Sequence, residues 1–225
     1  GAIQAGNNAA LGTGTVTFGG GRISSDSATA RTLANAFAMS GSLGLGDASN
    51  IGDLILSGDG LLTGTTTLTV ASPVDMSGAL SGVHDLTKSG SAALTLSGVN
   101  TFSGALTVSY GTLILTGGSA LADSVALALA SNGALNLLNS EVIGTLAGSG
   151  SVVLQSNTLT VSGGVDTNFA GAIQGAGAFV KDGAATFTLS GSSTFAGGTT
   201  VRQGTLLLAA SNLLNTAGAL TLGGG

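Results

Sequence analysis

Short runs in which apolar and polar residues alternate recur along the whole chain. Thr15-Val16-Thr17-Phe18, Leu68-Thr69-Val70, Leu94-Thr95-Leu96, Leu159-Thr160-Val161, Phe187-Thr188-Leu189 and Leu220-Thr221-Leu222 all follow the pattern. A period of two puts the apolar side chains on one face and threonine on the other, which predicts half-buried strands. Glycine-containing pairs separate the runs: Ser57-Gly58, Ser97-Gly98, Gly117-Gly118, Gly163-Gly164 and Ser190-Gly191. Glycine permits the positive φ that sharp corners need. Strands begin roughly every 6 to 12 residues, a spacing shared by sandwiches, barrels and solenoids. Segment 28–39 (ATARTLANAFAM) has the composition of a short amphipathic helix. Serine and glycine runs flank it, so a strand over 32–39, with Leu33 and Phe37 in register, is the reading adopted.

A long-range repeat decides among the architectures. Residues 86–115 read LTKSGSAALTLSGVNTFSGALTVSYGTLIL and residues 179–208 read FVKDGAATFTLSGSSTFAGGTTVRQGTLLL. They align without a gap at 181 − 88 = 93 residues. Lys88/Lys181, Gly90/Gly183, Leu96/Leu189, Gly98/Gly191, Phe102/Phe195, Gly104/Gly197 and Gly111/Gly204 keep that spacing, as do Val108 and Val201. These positions are assigned as the structural residues of the repeat. Upstream, MSGALSG at 76–82 answers FAGAIQG at 169–175. Leu68-Thr69-Val70 answers Leu159-Thr160-Val161 at 159 − 68 = 91 residues. The tail, GALTLGGG at 218–225, echoes GTVTFGGG at 14–21.

A fixed period marks an array in which each unit buries its apolar face against its neighbours. The chain is therefore read as all-β, one continuous β-solenoid over 1–225. The internal repeats are 68–116 and 159–209, with 1–67 and 117–158 as intervening coils and 210–225 starting a further unit. Dividing the long unit by four or five gives roughly 19 to 23 residues per coil, typical of a β-solenoid rung. About ten to twelve coils at about 4.8 Å each make a rod near 50 Å long.

Composition supports this and narrows function. Of 225 residues, 43% are hydrophobic but only 4% aromatic, and 40 are glycine. Charged residues are 7%, against about 25% in ordinary domains. The outer surface must therefore be Ser, Thr, Asn and Gly, and the shortage of Lys and Glu argues against exposed helices. Net charge is −5 with no basic patch, so nucleic acid is not expected as a partner. Cysteine is absent, so burial must do the stabilising that disulfides do elsewhere. No apolar run approaches about 18 residues. The chain starts in mid-pattern, and a piece of something longer is expected.

Two stretches carry a family likeness. KSGSAALTLSGVNTFSGALTVSYGTL at 88–113 and KDGAATFTLSGSSTFAGGTTVRQGTL at 181–206 resemble the passenger-associated transport repeat, also called the autotransporter-associated β-strand repeat. That pattern is Lys-x-Gly-x-Gly-x-Leu-x-Leu-Ser-Gly-x-Asn-Thr-Tyr/Phe-x-Gly-Gly-Thr-x-Val-x-x-Gly-Thr-Leu. The second glycine of the pattern is Ala92 and Ala185 here, and its asparagine is Asn100 in one copy and Ser193 in the other. Gly-Gly-Thr stands at Gly197-Gly198-Thr199 but reads Gly104-Ala105-Leu106 in the first copy. The resemblance implies a right-handed parallel β-helix. It further implies a passenger of a type V secreted autotransporter, displayed outside a Gram-negative cell by an outer-membrane barrel that is not in this chain. Host surfaces or other bacterial cells are the outer partners it implies. No catalytic residue or cofactor comes with it.

Candidate chemistry is sparse. The acids are nine Asp and Glu141, and most do not recur between the repeats. Glycoside-cleaving solenoids set paired carboxylates on one face, so a polysaccharide-active β-helix is the alternative function. Asp53, Asp59, Asp75 and Asp85 are read instead as solvated turn residues. His84, the only histidine, is read as an exposed corner, with no nucleophile motif beside it. One His and no Cys make no metal constellation. Lys88 and Lys181 are read as solvated corners that discourage edge pairing, and Phe102 and Phe195 as core or corner residues. Asn50, Asn100 and Asn132 are placed at bends, where asparagine tolerates the left-handed region and bonds its own backbone. Thr65-Thr66-Thr67 and Thr199-Thr200 prompt a second alternative, an ice-binding solenoid. Open terminal rungs are expected to associate end to end.

Overall fold

Leu86 pairs in parallel with Thr66 on one side and with Leu106 on the other, a step of 20 residues each way. That step is one coil. The computed structural model describes residues 1–209, Leu214 and 218–223. Every strand pairing in it is parallel, and no helix occurs among the described residues. The fold is an all-β solenoid of about 11 turns.

Each coil has three faces, taken in the order I, II, III along the chain. Face I stacks Val16–Phe18, 37–39, 60–62 and Leu80–Gly82, and later Glu141–Ile143, Thr158–Val161, 178–181, 199–201 and Leu220–Leu222. Face II runs from Ala2–Ala5 through Leu86–Ser89 to 205–208. Face III stacks Arg31–Leu33, Leu54–Leu56, Val74–Met76, Leu94–Leu96, 111–115, 132–137, Ser151–Val153 and Ala172–Gln174. Face I lacks a strand in two successive coils, around residues 100 and 120.

The alternation in the sequence is the alternation of the pleat. Leu94-Thr95-Leu96 is buried, half-buried, buried, and its leucines stack between Val74/Met76 and Leu113/Leu115. The core runs as one continuous cluster from Ala5 to Phe195. Each fully buried leucine adds about 1.5–3 kcal/mol. Corners must let successive backbones touch. A side chain at Gly78 would run into the Gly58 carbonyl, and one at Gly98 into the Gly78 carbonyl. This column of glycines lets coils close to strand spacing.

Three expectations are refined. Segment 28–39 is β, but two strands meet at a corner over 34–36, where the buried Asn35 donates from Nδ2 to Gly12 O (3.1 Å) and Gly14 O (2.7 Å). Coil steps are less even than the long repeat suggested, from 17 residues (Ala134 to Ser151) to 25 (Gly41 to Thr66). The long unit is also not a whole number of coils. Lys88 sits on face II, in the column Leu43–Leu68–Lys88–Val108–Leu129. Lys181 sits on face I, in the column Ile143–Val161–Lys181–Val201. The second copy therefore lies four coils and two faces on, rotated by one face about the rod. The unit expected from 210 onward lies largely outside the described residues.

Candidate functional site

The repeat's most unusual residues are its lysines, and both are buried. Lys88 is 0% exposed and Lys181 1% exposed. This corrects the expectation of solvated corners. Each sits at the end of an inward-facing row, so its aliphatic stem lies in the core while its ammonium reaches the next corner. Lys88 Nζ donates to Gly90 O (2.6 Å), Tyr110 O (2.8 Å) and Ser89 O (3.2 Å). Three donors meet three carbonyls, two from its own coil and one from the next, which satisfies an ammonium fully. Lys181 Nζ donates to Gly183 O and, at 3.4 Å, to Gln203 O of the next coil. Burial lowers Lys88 to about 8 and lowers Lys181 as well, the latter opposed by Asp182 and Asp166.

The repeat's last glycine belongs to the same device. A side chain at Gly111 would begin 2.6 Å from Lys88 Nζ, and Gly111 has φ +76°. Gly204 has φ +67°. Lysine and glycine stand 23 residues apart in both copies (111 − 88 and 204 − 181), and both glycines turn a corner. Gly111 also leaves room for the Lys88 ammonium, while a side chain at Gly204 would meet the carbonyls of Gly183 and Ala185. Leu96, Leu189, Phe102 and Phe195 are buried, and Phe195 lies 6.4 Å from Phe179, ring centre to ring centre. At Gly90, Gly98, Gly104, Gly183, Gly191 and Gly197 an added side chain would meet the backbone of the preceding coil.

Other polar groups act as rungs between coils. Asp59, Asp85 and Asp166 each accept, through Oδ1, the backbone N–H one coil on: Ala79 (2.9 Å), Ala105 (2.8 Å) and Thr186 (2.7 Å). Asp75, expected in a solvated turn, lies instead half-buried in the strand Val74–Met76 of face III and accepts from the Ser97 hydroxyl at 2.7 Å. Exposed turn carboxylates here bond to neighbouring coils and are not gathered on one face. Arg22, Arg31 and Arg202 each pair separately with an aspartate: Asp47 (2.8 Å), Asp26 (2.7 Å) and Asp182 (3.2 Å). The Arg31 guanidinium lowers Asp26, while the N–H groups of Ser49 and Asn50 lower Asp47. Among the described residues no group of three or more His, Cys, Asp or Glu could hold a metal ion. His84 is partly exposed at the corner between faces I and II.

Asn100 bonds its own backbone as expected but also bridges the coils on either side, and Glu141 bonds between coils with no signal in the sequence. Both are buried, at 2% and 3% exposed. Asn100 does not take the left-handed conformation, nor do Asn50 and Asn132; Gln155 is the one described non-glycine residue with positive φ. Asn100 accepts instead from Leu80 N (2.7 Å) and donates to Ala120 O (2.7 Å) and Gly98 O (3.1 Å). Glu141 accepts from Leu121 N (2.9 Å) and Ala120 N (3.2 Å), and its burial raises its pKa. Threonines do stack outward on face II, at Thr67, Thr87 and Thr107, but the rank gives way to Ala128 in the next coil.

With this geometry in view, the comparisons are specific. The family model of the passenger-associated-transport-repeat matches residues 86–115 and 179–208, the segments that hold the two lysine cages. The chain carries passenger-associated transport repeats. It is also 35% identical, over 145 residues, to the adhesin BmaC autotransporter of Brucella suis biovar 1 (strain 1330). That alignment covers 60% of this chain and 4% of the adhesin, so the chain corresponds to a small fraction of its relative's length. Match and similarity together support an autotransporter passenger region. No solved structure matches the chain.

Proposed function

We propose that this chain is a structural, non-enzymatic passenger segment of a type V secreted autotransporter. It acts as a surface stalk or adhesin backbone outside a Gram-negative cell, and its repeats promote secretion and folding. The full-length protein's outer-membrane barrel is its first partner, and host surfaces or other cells are the outer ones. The observation that carries this reading is what the two repeats hold in common. Of the large residues they share, Lys88/Lys181, Leu96/Leu189 and Phe102/Phe195 are buried in both copies, while Val108, Leu113 and Leu115 are buried in the first copy and their counterparts Val201, Leu206 and Leu208 are more exposed in the second. At positions exposed in both copies they keep only small residues such as Thr101/Thr194, while Val99 becomes Ser192 and Tyr110 becomes Gln203. What is repeated is thus a way of stacking coils. The rotation by one face also turns the copies to different sides of the rod, where a repeated binding patch would not line up. The acids support a non-enzymatic reading through the inter-coil bonds they make.

The test is surface display of this segment joined to an outer-membrane barrel. Replacing Lys88 and Lys181 by Ser should cut the displayed fraction several-fold. Replacing the exposed Tyr110 and Val99 by Ala should leave it unchanged. Equal display of all variants refutes the folding role, and glycan turnover abolished by Asp→Asn changes refutes the non-enzymatic one.

A further inference from the structure

We infer that face I between Leu80 and Glu141 is a seam at which this rod opens and bends, held shut by Asn100 and Glu141. Face I is a backbone ladder from Val16–Phe18 to Leu80–Gly82 and again from Glu141–Ile143 to Leu220–Leu222. Between them two successive coils have no strand on face I, and the bonds thin out step by step. From the coil of Leu80 to that of Asn100, three backbone bonds remain: Thr101 N to Leu80 O (2.8 Å), Phe102 N to Leu80 O (3.2 Å) and Ser103 N to Gly82 O (2.9 Å). From the coil of Asn100 to that of Ala120, the face I bond among the described residues is Asn100 Nδ2 to Ala120 O. From there to the next coil, the Glu141 carboxylate takes the N–H groups of Ala120 and Leu121, and Gly144 N reaches Val125 O at 3.0 Å. Side chains replace a ladder.

The other two faces of the same coils are fully paired. Face II joins Leu106–Leu127, Thr107–Ala128 and Val108–Leu129, and face III runs unbroken from Tyr110–Asn132 to Leu115–Leu137. Two continuous sheets beside one interrupted sheet make a hinge. Opening face I between the coils of Asn100 and Glu141 costs three side-chain bonds, the backbone bonds of Gly144 and Thr145 to Val125 O, and the contacts of Phe102, Ala120 and Leu121, while faces II and III stay intact. Local opening occurs where few hydrogen bonds and few contacts must be given up. The seam lies near mid-rod, where a bend displaces both ends most.

Hydrogen exchange on the whole 225-residue chain tests this. Under native conditions the hydrogen-bonded amides of Ala120 and Leu121 should exchange at least tenfold faster than Ala128 and Leu113 on faces II and III of adjoining coils. Asn100→Ala should speed Leu80, Ala120 and Leu121 together by about tenfold more and leave the other two faces unchanged. Glu141→Gln should act on Ala120 and Leu121. Asp166→Ala, which loses the bond to Thr186 N in coils beyond the seam, should move none of them. Equal protection on all three faces of the wild type overturns the inference, whether or not the variants fold. So does an Asn100→Ala effect spread evenly along the rod.

Discussion

At the scale of single residues, Lys88 and Gly111 constrain each other directly. Alanine at 111 meets the ammonium and is held at φ +76°, where non-glycine residues cost about 1–3 kcal/mol. Gly111→Ala should therefore destabilise by that amount or more. Adding Lys88→Ala removes the contact with the ammonium but neither the closer contact with the Gly90 carbonyl nor the backbone strain, so the double-mutant cycle should show a coupling of about 0.5–3 kcal/mol, read by urea denaturation. Additive effects would separate the two residues. A pH dependence follows too. Burial brings Lys88 from 10.5 to about 8. Between those values the folded chain has released a proton that the unfolded chain keeps, so stability rises with pH across the window. Below about pH 8 the full cost of burying the charge is present. The stability of wild type minus that of Lys88→Met should climb from pH 8 to 10.5 and stay flat below; a flat difference throughout excludes a titrating lysine. None of this was legible in the sequence. Lysine is almost never fully buried unpaired, and its partners are backbone carbonyls, which leave no mark in side-chain composition. The available signal was the pair itself, lysine and glycine at the same separation in both repeats.

At the scale of elements, much more could be read. Leu94-Thr95-Leu96 and Phe187-Thr188-Leu189 announce strands because the pleat has the same period as the pattern. Leu33 and Phe37 do lie in strands, yet the corner between them was hidden because Asn35 makes it with its side chain. The missing face I strands were equally hidden. Asn100 and Glu141 look like ordinary polar residues until the neighbouring coils bring Leu80, Ala120 and Leu121 against them. Corners separate residues that fill space from residues that only bond. Gly98→Ala sets a methyl group against the Gly78 carbonyl, a backbone atom that cannot turn aside, and should cost about 1–3 kcal/mol as overpacking does. Asp85→Asn keeps an oxygen for Ala105 N and should be nearly neutral, whereas Asp85→Ala loses a bond worth about 0.5–1.5 kcal/mol. Thermal unfolding of the three variants gives the order, and an Asp85→Asn as damaging as Asp85→Ala would show that charge, rather than the oxygen, is what matters.

At the scale of the whole molecule, the two repeats keep one sequence on different faces. The faces are therefore interchangeable scaffolding, and what the chain must preserve is the phase of the coil. That makes deletions predictable. Removing 66–85 joins Thr65 to Leu86, which pairs with Thr66 and so inherits its place in the register. Lys88 then takes the position of Leu68, above Leu43, and each later residue still meets an inward or outward neighbour of its own kind. The shortened chain should fold as a rod one coil shorter, by about 4.8 Å, with the same cross-section in solution scattering. A deletion of ten residues from the same place leaves the pleat intact but puts a corner where a strand must pair. It should abolish cooperative unfolding, because nearest-neighbour interfaces on both sides of the cut are lost together. If the two deletions behave alike, register between coils is not what organises the rod. If the whole-coil deletion alone survives, the number of coils is a free variable of the design, and length can change in passenger regions by single rungs without disturbing the core that remains.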